Sequence, residues 1–243
     1  MVRRVGRRTF LKSAAAGAAL VSAAPQARGQ QAEQQQAAAP AHPPHRPTTK
    51  RPAEARLFLN DAEAAFLTAA IDVFLPADDA GPSGMEAGVL TYLDRQLAGA
   101  WGSGERMYLE GPWSEGTPQQ GYQLPLTPAR LFRLALAECD GSARAAHGKR
   151  FADLTPEQRE AFLAGLDNGE VILATLPGRT FMRLLLAAVV EGYFADPAYG
   201  GNRDKAVWRM IGFPGARAIY MDDIERFRGK PFAAEPVSLA DLQ

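Results

Sequence analysis

The chain lacks the residues on which most redox and hydrolytic centres depend. It has one cysteine in 243 residues, whereas covalent haem c needs a C-x-x-C-H sequence and an iron–sulfur cluster needs about four cysteines. Only one of its three histidines, His147, lies beyond the first 55 residues, and no G-x-S-x-G sequence is present. The sequence therefore provides few of the residues that a hydrolytic triad needs. The sequence therefore predicts no catalytic residue, no metal ligand and no cofactor site in this chain.

Strand signals and charge asymmetry are also missing. No segment alternates cleanly between apolar and polar residues, and no G-x-G-x-x-G turn joins a strand to a helix, as a Rossmann domain requires. The 27 basic and 27 acidic residues balance, and no basic stripe is interleaved with aromatics, which argues against nucleic acid as a partner. No segment after residue 30 is apolar enough to span a bilayer, so we expect no membrane span in the mature chain.

The N-terminus carries an export pattern. No acidic residue precedes Glu33, and a weakly apolar, Ala-rich segment covers residues 13–24. The pattern that precedes this segment consists of Arg7, Arg8, Phe10, Leu11 and Lys12. It predicts a twin-arginine signal peptide over residues 1–29, and hence a periplasmic protein exported in the folded state. Residues 30–55, rich in Gln, Ala and Pro, are predicted to form a disordered tether, and residues 56–243 a single domain.

Helix-start signals recur through that domain. The signals are Asn60 with Glu63, Ser83 with Glu86, Thr127-Pro128, and Thr155-Pro156 with Gln158. Each combines a capping side chain with a capping-box partner or with proline at the first helical position. Residues 180–194 are apolar on nearly every side and predict a central buried helix, whereas residues 101–125, rich in Gly, Pro and Gln, predict a long surface loop. The predicted fold is mainly α: a single irregular helical domain with long loops.

The single thiol has two interpretations. An exported protein with one cysteine cannot form an internal disulfide, so Cys139 is either buried and inert or bonded to another chain. Both interpretations, a core side chain and an intersubunit disulfide, remain open from the sequence.

Residues 191–215 have an unusual composition. Asp196-Pro197 ends the apolar helix, Gly200-Gly201 permits backbone angles closed to other residues, and Asn202 is suited to capping the turn that follows. Such dense use of glycine, aromatic residues and an Asn-Arg-Asp triplet predicts a tightly constrained loop.

This segment resembles the small-subunit family of gluconate 2-dehydrogenase, subunit 3, in which a D-P-x-Y-G-G-N-R-D stretch precedes a tryptophan and an I-G-F-P-G ending. The matching residues are Asp196, Pro197, Tyr199, Gly200, Gly201, Asn202, Arg203, Asp204, Trp208, Ile211, Gly212, Phe213, Pro214 and Gly215. Residues 74–79, 81–82 and 87–89 also resemble the first helix pair of that family.

The resemblance implies a non-catalytic subunit. Family members pair with a large FAD-containing dehydrogenase that oxidises a sugar, polyol or sugar acid, and a multi-haem cytochrome c commonly completes the complex at the membrane. The small subunit is thought to carry the export signal for the folded flavoprotein. The resemblance therefore places FAD in a partner and haem c in a third subunit, with membrane association through those partners.

The role of the Asp196–Asp204 loop stays open at this point. It can be a hydrogen-bonded structural loop, in which Asn202 or Asp204 caps a helix and Arg203 pairs with a carboxylate such as Glu191. It can instead dock the flavoprotein, or serve as the site of a free-standing periplasmic helical enzyme. Trp208 and Phe213 suit either a core or an interface.

Overall fold

The computed structural model describes residues 55–114, 116–232 and 234–242. Their eight α-helices are α1 (Asp61–Phe74), α2 (Val89–Ala98), α3 (Ala100–Ser103), α4 (Pro128–His147), α5 (Pro156–Asn168), α6 (Gly178–Phe194), α7 (Ala206–Ile211) and α8 (Met221–Arg226). Short 3-10 turns lie between and after them, and within the described ranges the β-structure amounts to two isolated bridges. The prediction of a mainly helical fold is confirmed. The predicted signal peptide and nearly all of the predicted tether lie outside the described residues.

Helix α1 contacts each of the other long helices, α2, α4, α5 and α6. Its side chains Phe66, Leu67 and Ile71 are almost completely buried. The Phe66 ring stacks on that of Phe151, with 4.2 Å between ring centroids. Burial of large apolar side chains of this kind is the main source of folding free energy, at roughly 1.5–3 kcal/mol for each.

Three of the predicted helix starts are confirmed. Asn60 accepts a hydrogen bond from the Glu63 amide while the Glu63 carboxylate accepts one from the Asn60 amide, which completes a capping box. Thr155 and Gln158 form the same reciprocal pair at α5, and Thr127 caps α4. Each cap satisfies backbone donors that have no partner inside the helix, which is why the signal can be recognised from local sequence alone.

The fourth signal forms its hydrogen bonds but does not start a helix. Ser83 and Glu86 bond reciprocally, yet residues 84–88 form a turn and α2 begins only at Val89. The interruption is Gly88, whose φ of 81° is left-handed. A right-handed helix cannot continue through such a residue, so the capping box here stabilises a turn.

Two further predictions need correction. Helix α6 is not buried all round, because Arg183, Ala187 and Glu191, spaced four residues apart, form an exposed face. The prediction followed from the high overall hydropathy of the segment and gave too little weight to the spacing of its two charged residues, Arg183 and Glu191. The predicted loop at residues 101–125 is interrupted at its start by α3 and later by a 3-10 turn at Pro118–Gln120, and the rest is irregular.

The first described residues are fixed to α2 by one carboxylate. Asp94, only 5% exposed, accepts hydrogen bonds from the amides of Leu57, Phe58 and Leu59 at 2.7–3.0 Å. Arg133 of α4 adds a hydrogen bond to the Phe58 carbonyl. The chain entering α1 therefore has a defined position.

Candidate functional site

The Asp196–Gly215 loop lies against the end of α6 because Gly201 allows the two backbones to approach. A Cβ added at Gly201 would stand 1.9 Å from the Gly192 carbonyl oxygen, while one added at Gly192 would stand 2.7 Å from the Tyr92 ring of α2. The loop then turns sharply: Asn202, Asp204 and Lys205 all have positive φ. Left-handed angles in three non-glycine residues within four positions are uncommon, although Asn and Asp tolerate them best.

The Asp196 carboxylate holds two turns together. It accepts hydrogen bonds from the Ala198 amide at 2.9 Å, from the Ser238 hydroxyl at 2.6 Å and from the Leu239 amide at 2.9 Å. Both carboxylate oxygens are therefore occupied inside the chain. A carboxylate used in this way fixes structure and is poorly placed to move a substrate proton.

Asn202 caps α7, as one interpretation of the sequence predicted. Its side chain is completely buried, and its Oδ1 accepts a hydrogen bond from the Val207 amide at 2.9 Å. The predicted pairing of Arg203 with Glu191 is wrong, since no salt bridge among the described residues joins them. Instead, the Arg203 amide donates to the Ala87 carbonyl at 2.9 Å.

The two aromatic residues of the loop divide between core and surface. Trp208 is 5% exposed and donates from Nε1 to the Phe194 carbonyl at 2.8 Å. Phe213 packs edge-on against Trp208 but remains 42% exposed. Trp208 is therefore a core residue in this chain, while Phe213 keeps surface that another molecule can cover.

The two segments of family resemblance meet in space. A Cβ added at Gly88 would stand 2.6 Å from the Gly200 carbonyl oxygen, and one at Gly81 would stand 2.2 Å from the Met210 sulfur. The Tyr193 hydroxyl donates to the Pro82 carbonyl at 2.7 Å. Residues 81–88 and 200–210 thus form one packed junction, although more than a hundred residues separate them in sequence.

The chain after Gly215 leaves this junction and returns to it. A parallel bridge pairs Gly215 with Val237, closing what we term the C-terminal loop, residues 216–236. Lys205 pairs with Asp241 at 2.8 Å, and Arg209 Nε donates to Glu235 at 2.7 Å. Hydrogen bonds from these basic residues hold the pKa values of the Glu235 and Asp241 carboxyls below their ordinary values.

The C-terminal loop carries a concentration of exposed apolar side chains. Ile219, Tyr220, Met221 and Ile224 are each at least 42% exposed. Inside the loop the rings of Tyr220 and Phe227 pack edge-on against Phe232. Clustered exposed apolar residues of this kind are typical of a surface that binds another molecule.

The described part of the chain includes a larger groove and a smaller cleft. A groove of about 720 Å³ runs between the end of α4 and α5, with His147, Glu157 and Ile172 among its lining residues. A smaller cleft of about 340 Å³ is lined by Tyr92, Gln96, Glu191, Phe194, Ala195, Asp196 and Tyr199. Only the smaller cleft includes residues of the Asp196–Gly215 loop. There burial, and secondly the Glu191 carboxylate, raises the pKa of Tyr92 to about 12.

Cys139 lies in the core of α4. Its side chain is 0% exposed, and burial, followed by the neighbouring charges of Glu138 and Asp140, raises the pKa of the thiol. A protonated thiol without solvent access is neither a good nucleophile nor a ready disulfide partner. The structure favours the interpretation as a core side chain, while the intersubunit disulfide stays a prediction.

Among the described residues, no group of three or more His, Cys, Asp or Glu side chains is arranged to hold a metal ion. No helix in the same ranges is both long and apolar enough to cross a bilayer. These ranges also contain no β-strand.

Fold and site together define a small helical protein in which the most distinctive loop is bonded to its own chain. The family model for gluconate 2-dehydrogenase subunit 3 matches residues 61–215, well over half of the sequence, and the chain belongs to that family. Neither the curated proteins nor the solved structures provide a match. The resemblance stated from the sequence is confirmed, and the name of the family implies a complex of several subunits with a dehydrogenase partner.

Several contributors to this site gave no signal in the sequence. Ser238 and Leu239 bind Asp196 from more than forty residues away, and Tyr92 meets Glu191 across 99 residues. Pairings between such distant residues follow only from the three-dimensional fold. Ala87 and Gly88 belong to the family pattern, but the sequence did not predict their contact with residues 200–203.

Proposed function

We propose that this chain is the non-catalytic small subunit of a periplasmic, flavin-dependent sugar, polyol or sugar-acid dehydrogenase complex, and that it supports folding and twin-arginine export of the flavoprotein. The observation that carries the proposal is the family match over residues 61–215, because a third subunit implies other subunits that do the chemistry. FAD then belongs to the large subunit, and haem c to a cytochrome subunit where one is present.

The use of polar groups in the Asp196–Gly215 loop supports a structural role. The Asp196 carboxylate accepts three hydrogen bonds within the chain, and Asn202 Oδ1 is occupied by α7. These are the side chains that a catalytic loop would need to leave available for substrate. The free-standing enzyme is the weaker candidate for this reason.

The exposed apolar side chains of the C-terminal loop support a role in binding a protein partner. Phe213 and Ile211 add exposed apolar area just before this loop. A chain that works alone gains nothing from presenting such residues to water, whereas a subunit buries them in an interface.

The first experiment is purification of the tagged mature protein from the periplasm of its own host, followed by a visible spectrum and identification of co-purifying chains. We expect a large flavoprotein subunit and the absorption of oxidised flavin. A colourless monomer with no large companion chain would contradict the proposed complex and favour the free-standing enzyme.

The export role has its own test. Replacing Arg7 and Arg8 together by Lys removes the twin-arginine pair while keeping both charges, so we expect the flavoprotein to remain in the cytoplasm. The control is Arg3→Lys with Arg4→Lys, which makes the same chemical change at two basic residues outside the pattern. Normal periplasmic flavoprotein in the Arg7→Lys, Arg8→Lys strain would rule out export by this chain.

A further inference from the structure

The smaller cleft has a composition that the proposed function does not explain. Tyr92 and Gln96 reach it from α2, one turn apart, while Glu191 and Phe194 reach it from the end of α6. Tyr199 completes its wall and is half-exposed. We refer to this region, as defined by its seven lining residues, as the tyrosine cleft.

The charge of the tyrosine cleft is of one sign. Its lining includes two carboxylates and no Lys, Arg or His. Asp196 is occupied by the Ser238 and Leu239 donors, which leaves Glu191 as the carboxylate that faces solvent. The hydrogen bond that Glu191 accepts from the Tyr92 hydroxyl is long, at 3.5 Å, and therefore weak.

The nearest basic side chain on the same helix does not fill the cleft. Arg95 lies against Gly200, where a Cβ added to the glycine would stand 3.3 Å from the Arg95 Nη1 atom. The negative charge of Glu191 is thus set among the aromatic side chains Tyr92, Phe194 and Tyr199 without a cation from the cleft lining.

A carboxylate beside aromatic rings fits a planar cation. A guanidinium group can pair with the carboxylate through its N–H donors while its face stacks on a tyrosine ring. A volume of about 340 Å³ is at the small end for ligand sites, which suits one long side chain better than a sugar chain or a dinucleotide.

We propose that the tyrosine cleft binds an arginine side chain presented by the dehydrogenase subunit, with Glu191 as the ion-pair partner and Tyr92 and Tyr199 as the aromatic walls. This inference rests on the proposed function, since it needs that subunit as its partner. Arginine is frequent among the side chains that dominate binding energy at protein interfaces, and it needs a complementary pocket of this kind.

The test uses the complex assembled from the dehydrogenase subunit and tagged variants of this chain, with the dissociation constant as the measured quantity. Glu191→Gln removes the charge and should weaken binding about 10-fold, while Glu191→Lys places like charges together and should weaken it about 100-fold. Tyr199→Phe keeps the ring and should bind like the wild type, whereas Tyr199→Ala should weaken binding about 10-fold.

The matched control is Glu160→Lys, the same charge reversal at an exposed residue of α5 that lines neither concave region. It should leave the dissociation constant unchanged. Thermal unfolding of each variant checks that the fold is intact, as expected for changes at exposed positions. An arginine-to-glutamate change on the dehydrogenase subunit that restores binding to Glu191→Lys would identify the residue that enters the cleft.

The outcomes separate the two proposals. If the wild-type chain binds no dehydrogenase subunit, the proposed function fails and the cleft proposal fails with it. If the wild type binds and Glu191→Lys binds equally well, the proposed function stands and the arginine site is overturned. Equal weakening by Glu160→Lys and Glu191→Lys would also overturn it, because the effect would then follow overall charge.

Discussion

The helical body, residues 57–194, and the C-terminal segment, residues 196–242, are held together by different forces. The body buries large apolar side chains such as Phe66, Phe132 and Phe181, each no more than 1% exposed. The C-terminal segment is positioned by close backbone contacts at glycines, by the Asp196 hydrogen bonds and by exposed ion pairs. Among its described residues it buries little apolar surface beyond Val207 and Trp208, and much of the remaining apolar surface is exposed.

This difference means that the stability of the fold and the binding of a partner depend on different regions of the chain. Apolar burial supplies most of the folding free energy of a domain, whereas exposed ion pairs contribute about 0–1 kcal/mol each. The helical body is therefore the source of stability. The C-terminal segment gains its position at low energetic cost and keeps apolar residues available for a partner.

The largest expected effect lies in the body. Phe66→Ala removes a stacked, buried ring and should lower the free energy of unfolding by about 4 kcal/mol, as measured by urea denaturation. Met221→Ala, at a residue 71% exposed, should change it by less than about 0.5 kcal/mol. Similar losses from the two substitutions would show that the two regions do not differ in this way.

The next effect tests the contact between the two regions. Gly201→Ala forces a Cβ against the Gly192 carbonyl and should cost about 3 kcal/mol of unfolding free energy in the same denaturation experiment. Gly141→Ala is the matched control, because a Cβ there meets nothing within 4 Å and the residue is inside α4. It should stabilise the protein by up to about 1 kcal/mol. Equal behaviour of the two alanines would mean that the loop does not lie against α6 as described.

A smaller effect is confined to the C-terminal segment. Asp196→Asn replaces one carboxylate oxygen with an NH2 group, which would face a hydrogen-bond donor from Ser238 or Leu239. The loss of that hydrogen bond should lower the local stability by about 2 kcal/mol. Limited proteolysis should then cut within the C-terminal loop while the helical body stays intact. Asp204→Asn, the same chemical change at an exposed residue with no comparable set of bonds, should digest like the wild type. Protection of the loop in Asp196→Asn would show that Asp196 is not its anchor.

The smallest effect depends on pH. Because the pKa values of Glu235 and Asp241 are lowered in the folded chain, their ion pairs stabilise it above the ordinary carboxyl range and are lost as the pH falls through the lowered values. Amide NMR signals of residues 216–242 should therefore show increased mobility once the pH falls below the ordinary carboxyl range, while those of α1 should not. Glu235→Gln should already show part of that mobility at pH 7. If the signals keep their pH 7 pattern in acid, the ion pairs of Glu235 and Asp241 do not hold this segment in place.

Features of the fold that depend on neighbouring residues could be predicted from the sequence. Asn60, Thr127 and Thr155 start helices because their capping partners lie within three residues. The Ser83–Glu86 hydrogen bonds were predicted correctly, but the helix starts only at Val89, after Gly88. Gly88 has a left-handed angle and packs against the Gly200 carbonyl, more than a hundred residues further along. Local signals determine which hydrogen bonds form, and tertiary contacts determine whether a helix follows.

The candidate site shows the same division. The capping role of Asn202 was predictable because Val207 is five residues away. The role of Asp196 was not, since its partners Ser238 and Leu239 arrive through the C-terminal loop. The tyrosine cleft brings together residues from α2 and α6 that share no sequence pattern. The contact of Tyr92 with Glu191 therefore could not be predicted from the sequence.

The burial of Cys139 also has a kinetic consequence. As the single thiol of the chain and a fully buried one, it can react with a thiol reagent only while α4 is opened from the core. The rate of its labelling therefore reports how often the helical body opens, without any introduced probe and without perturbing the C-terminal segment. A partner that stabilises the helical body would therefore lower the labelling rate of Cys139, and the decrease would measure the free energy that the partner adds.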